Sequence, residues 1–114
     1  MPSATFTNDE LILVLISLVR ATHPRMLRQE GDGFSVDFEP LSKKTKLTAD
    51  ERLLLRMRAA METPGEPSAP VLELEEKEGL RLAATLAQLE ALQQWSADVL
   101  EMSRSLRARL SSLA

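Results

Sequence analysis

Over residues 11–19 the chain runs Leu-Ile-Leu-Val-Leu-Ile-Ser-Leu-Val, nine residues interrupted only by Ser17. Wound as a helix at 100° per residue, Leu11, Ile12, Val14, Leu15, Ile16, Leu18 and Val19 spread over an arc of about 200°, twice the ~100° stripe of a surface helix. A helix apolar on that much of its circumference needs cover on more than one side, from its own chain or from a second copy. The run falls well short of the ~20 residues that span a bilayer. Its ends are marked as well. Thr7-Asn8-Asp9-Glu10 has the spacing of a capping box, and His23-Pro24 closes the helix because proline disfavours helical geometry in the residue before it.

What surrounds that helix is limited by composition. Aromatic residues make up only 4% of the 114, so a core has to come from Leu, Ile, Val, Met and Ala, which favours helices over a β-sandwich. The length suits one domain, residues 1–114, with one core. Residues 8–62 read as helix, β-hairpin and helix. Residues 26–29 and 34–38 flank Glu30-Gly31-Asp32-Gly33, whose glycines suit a tight reversal, and Phe34, Val36 and Phe38 alternate with polar residues as an inward face would. Thr48-Ala49-Asp50-Glu51 repeats the capping box and opens a helix with Leu53, Leu54, Met57, Ala60 and Met61 on one face. Three prolines mark residues 63–70 as a connector.

Beyond the connector, residues 71–114 predict an edge strand and a helical hairpin. Val71-Leu72-Glu73-Leu74-Glu75 alternates, so it either adds a third strand to the small sheet or forms the arm of the next helix. Residues 76–94 carry two strips: the leucines Leu82, Leu86 and Leu89, and the smaller residues Ala83, Ala84, Ala87 and Ala91 with Leu80. Trp95 sits in the turn as a plug for the end of the core, and Ser96 caps the last helix, whose single stripe is Val99, Met102, Leu106, Leu110 and Leu113. The expected fold is therefore mainly α (α+β), with about four helices, a small antiparallel β-hairpin or three-stranded sheet, and a C-terminal antiparallel helical hairpin. Two surplus apolar features, the wide first helix and the alanine strip, define a candidate self-association face of Leu11, Val14, Leu15, Leu18, Ala84, Ala87 and Ala91. The alanine strip tips the expectation toward a homodimer.

Little in the chain suggests chemistry. There is no cysteine, hence no disulfide, no thiolate metal site and no cysteine nucleophile. His23 is the single histidine, and catalysis would require it to lie in a concavity beside a serine or a carboxylate. The acids Glu73, Glu75, Glu76 and Glu78 suit the positive end of a helix dipole better than a cation, and the four glycines show no phosphate-cradling spacing. No cofactor, metal or catalytic residue is expected. The remaining signal is a basic run, Lys43, Lys44, Lys46, Arg52, Arg56 and Arg58, against only Asp50 and Glu51. Such a run can neutralise phosphates. It can equally pair with the acids between Glu62 and Glu78. Arg104, Arg107 and Arg109 on the last helix lack the interleaved aromatics of a single-strand platform. With a net charge of −3 and no basic secretory leader, the expectation is a cytoplasmic, non-enzymatic interaction or scaffold module that homodimerises. The alternative is a small nucleic-acid-associated regulator using the basic run.

Overall fold

The computed structural model describes residues 3–31, 33–62, 71–92 and 95–112. Helix α1, Asn8–Thr22, begins at the expected capping box: the Thr7 hydroxyl accepts the Glu10 N–H at 3.1 Å, and Glu10 Oε1 accepts the Thr7 N–H at 2.9 Å. It ends at His23, and Pro24–Met26 add a single 3₁₀ turn. The hairpin follows, with β2 Leu27–Glu30 pairing antiparallel with β3 Gly33–Val36 around Gly31, whose φ of 60° is the left-handed geometry a two-residue reversal needs.

Next comes a short helix α2, Glu39–Ser42, which the sequence pattern did not predict. Pro40 lies in its first turn, where the missing N–H does no harm, and Asp37 Oδ1 accepts the Glu39 N–H at 3.0 Å. Helix α3, Ala49–Glu62, starts at the second capping box: Thr48 Oγ1 accepts the Glu51 N–H at 3.2 Å and Glu51 Oε1 accepts the Thr48 N–H at 2.9 Å. The connector at residues 63–70 lies outside the described residues.

Strand β4, Val71–Glu73, pairs antiparallel with an N-terminal strand β1, Ser3–Thr5, in the register Ser3↔Glu73, Ala4↔Leu72, Thr5↔Val71. This corrects the expectation of a three-stranded sheet: the described strands form two separate two-stranded sheets, because the N-terminal strand, rather than the hairpin, lies beside β4. Helices α4, Glu76–Leu92, and α5, Ala97–Ser111, form the expected helical hairpin. Ser96 caps α5 by accepting the Val99 N–H at 3.3 Å, and the Trp95 indole N–H donates to the Leu89 carbonyl at 3.0 Å while its ring packs against the core. Leu113, the last residue of the expected stripe, lies outside the described residues.

The wide apolar helix stands at the centre. Helix α1 packs against α3, α4 and α5 and touches both strands of the hairpin. Leu11, Leu13, Val14, Leu15, Ser17, Leu18 and Val19 are all buried. The buried arc is rotated from the expected one: it takes in Leu13 and Ser17 and leaves Ile12 39% exposed. Ser17 is tolerated because its hydroxyl donates to the Val14 carbonyl at 2.7 Å and lies 3.2 Å from the Thr85 hydroxyl of α4, itself 2.9 Å from the Leu82 carbonyl. No helix among the described residues is long and apolar enough to cross a membrane.

Candidate functional site

Among the described residues, Glu51 is the one acidic side chain found in the core, 1% exposed. Its backbone position follows from its role in the α3 capping box, and its carboxylate reaches further than that role requires. While Oε1 accepts the Thr48 N–H, Oε2 accepts Lys44 Nζ at 2.6 Å and His23 Nε2 at 3.0 Å. The Lys44 ammonium, then the Thr48 N–H and the His23 contact, hold the carboxyl down from its ordinary 4.5 to about 2 against the opposing effect of burial. The cluster ties together three elements: the end of α1, the turn after α2 and the start of α3.

At the other end of the imidazole, Nδ1 lies 2.8 Å from the Thr22 hydroxyl, whose proton goes to the Leu18 carbonyl at 2.7 Å. Both ring nitrogens are therefore engaged within the cluster. So His23 has the carboxylate neighbour that catalysis would require, but both oxygens of that carboxylate are engaged. His23 also lines none of the three main grooves on the described surface. As built, the cluster can fasten helix ends, and it offers no free base to a substrate.

The basic run is divided among several local partners, with Arg52 and Arg56 sharing one groove. Lys43 pairs with Glu39 at 3.1 Å, Lys44 with Glu51, and Arg56 with Glu78 of α4. The Arg52 guanidinium donates to the Leu47 carbonyl at 2.8 Å. Arg58 lies over the Phe38 ring, 5.0 Å from its centroid, and Lys46 is an exposed residue of the turn before α3. Arg52 and Arg56 line a groove of about 400 Å³ between α3 and α4 that also holds Asp50, Glu75, Glu78 and Arg81, with Arg81 reaching back to Asp50 at 3.3 Å. Helical period separates them from Arg58, which lines a different groove.

The expected self-association face is not assembled either. Leu11, Val14, Leu15 and Leu18 are buried within the chain, whereas Ala84, Ala87 and Ala91 are exposed on α4. Surplus apolar surface occurs elsewhere. A groove of about 660 Å³ runs between α1, the hairpin and the end of α3, lined by Ile12, Leu15 and Ile16 on one side and by Phe34, Val36, Phe38 and Met61 on the other. Phe34 had been expected to turn inward, and it is 37% exposed at this groove. The signal was present in the sequence as the outer edge of the α1 arc and the alternation of β3; what the sequence lacked was the rotation of α1. Asp37, Glu39 and Arg58 supply charge at the groove wall.

No family model, curated protein or solved structure matches the chain, so any functional reading has to come from its own residues.

Proposed function

We propose that the protein acts by binding rather than by catalysis, as a small interaction module that pairs with a second copy of itself through the groove between α1, the hairpin and α3. The observation that supports this reading is the gathering of exposed apolar side chains. Three large hydrophobic residues are markedly exposed among the described residues, Ile12, Phe34 and Leu80, and two of them line this one groove beside Val36, Phe38 and Met61. Scattered exposed apolar residues need no explanation, but a contiguous patch does.

The second copy is the favoured occupant because the groove carries both signs of charge. Arg58 stands on α3, and Asp37 and Glu39 follow the hairpin. A surface of mixed sign can be complementary to itself across a two-fold axis. Strand β3 adds backbone to the same surface. The Asp37 N–H donates to the Met26 carbonyl, which fixes the hydrogen-bonding parity of the hairpin. The N–H and C=O groups of Phe34 and Val36 then point away from β2, as on any open strand edge.

Sedimentation velocity across the micromolar range tests the proposal. The expected result is a concentration-dependent dimer that Phe34→Ser and Ile12→Asp each weaken by at least about tenfold, the scale of losing an apolar anchor. A strict monomer at high micromolar concentration would overturn it, as would a dimer indifferent to both substitutions.

A further inference from the structure

Three arginines of the described chain are half-buried: Arg20, Arg56 and Arg107. Two of them are held by carboxylates, Arg56 by Glu78 and Arg107 by Glu90. The side chain of Arg20, in the last turn of α1, makes no hydrogen bond or ion pair with any described residue. The negative end of the α1 dipole favours a cation there, and the guanidinium donors are left to solvent or to a ligand.

Arg20 lines a groove of about 540 Å³ between α1 and α4, distinct from the apolar one and including the contacting Ser17 and Thr85. Residues 17 and 20 are one turn apart on α1, as are 85 and 88 on α4, so the two hydroxyls, the Arg20 guanidinium and the Gln88 amide belong to facing surfaces. Pro24, Leu27 and Leu89 give the groove an apolar wall, and among the described residues Arg20 is its only charged lining residue. At the floor, Ser17 and Thr85 have two hydroxyl protons for three contacts: one to each helix's own carbonyl and one between them. With both protons on the carbonyls, the facing oxygens are left with lone pairs able to accept.

We propose that this groove binds a small organic monocarboxylate, with Arg20 taking the carboxylate and Pro24, Leu27 and Leu89 carrying the apolar body. A planar guanidinium matches a carboxylate with two parallel hydrogen bonds. One positive charge in an otherwise neutral groove suits one negative charge, whereas a phosphate dianion needs more cations. The volume lies in the usual range of small-molecule sites, about 300–1,000 Å³, and a mostly apolar wall with a few fixed polar groups is their usual make-up. The site is independent of the pairing surface proposed above.

NMR titration of the full chain with butyrate, butyramide and inorganic phosphate tests this. Butyrate alone is expected to give saturable shifts at the Arg20 Nε–H, the Gln88 side-chain amide and the Leu27 methyls. Arg20→Gln should weaken that binding by about tenfold or more, the scale of a lost charge-assisted pair, and Arg20→Lys should restore part of it. A second variant leaves the arginine in place: Gln88→Glu, on the exposed side of α4, supplies an internal carboxylate and should compete butyrate out. Circular dichroism melts report whether each variant is folded. The proposal fails if butyrate does not saturate, if butyramide or phosphate binds as well, or if Arg20→Gln and Gln88→Glu leave the midpoint unchanged.

Discussion

Helices α1 and α4 look alike in sequence, since each carries more apolar positions than a one-sided helix needs, and the fold treats them in opposite ways. Around α1, six aliphatic residues from Leu11 to Val19 are buried by three other helices of the same chain. On α4, Leu82, Leu86 and Leu89 are buried with Thr85, while Ala84, Ala87 and Ala91 face solvent. What demands cover is apolar area rather than the number of apolar positions. Fully burying a leucine is worth about 1.5–3 kcal/mol, against about 0.8 kcal/mol for a single methylene-sized group. An alanine on a helix surface leaves little unsatisfied and contributes the best intrinsic helix propensity.

The largest expected effect follows from α1. Leu18 is fully buried at 0% exposure, near the middle of the buried arc. Leu18→Ala should destabilise the protein by about 3–5 kcal/mol, the transfer loss plus the cavity left behind, lowering the melting temperature by roughly 10 °C or more. Urea midpoints at constant slope would measure it. A loss under about 1 kcal/mol would mean that α1 is not the element around which the others pack.

The clamp at the end of α1 should rank next, and it has a pH signature that no aliphatic substitution shares. The Glu51 carboxyl is held at about 2 in the folded chain against an ordinary 4.5. Its stabilising contribution is therefore complete above about pH 4.5 and is lost as pH falls from there through about 2, below which both states are protonated. Glu51→Gln should lower the melting temperature by several degrees at pH 7, because it leaves Lys44 and His23 without their shared acceptor. The gap between the two proteins should close as pH is lowered through that window. Parallel acid titrations of urea midpoints would check this, and a gap independent of pH would detach Glu51 from the clamp.

Much of the fold was legible because its signals are local. Both capping boxes, the hairpin reversal, the stop at His23-Pro24 and the Ser96 cap depend on residues within one turn of each other, and each is found where its residues predict it. The missed features depend on distant partners. The pairing of β1 with β4 joins two three-residue strands nearly seventy positions apart, too short to leave a pattern. Ser17 reads as an interruption until Thr85 is placed opposite it. Glu51 reads as a cap, since nothing nearby in sequence shows that His23 will meet its other oxygen. The basic run shows the opposite limit. Its residues are neighbours in sequence, but the turn before α3 and the helical period distribute them over separate surfaces, several against carboxylates.

The smallest effect is expected on α4, and its smallness is the sharper half of the comparison. Ala87→Gln and Ala84→Gln keep good helix formers at exposed positions, so each should change stability by less than about 0.5 kcal/mol and leave the sedimentation behaviour untouched. Helicity by circular dichroism and the urea midpoint are sufficient readouts. If either glutamine dissociated a dimer or destabilised the chain by more than about 1 kcal/mol, the alanine strip would be a packed surface after all, covered by a partner that the single chain does not contain. An unchanged result fixes the alanines as a solvated helix face and confines any self-pairing to side chains with area to bury, of which Ile12, Phe34 and Leu80 are the exposed ones among the described residues.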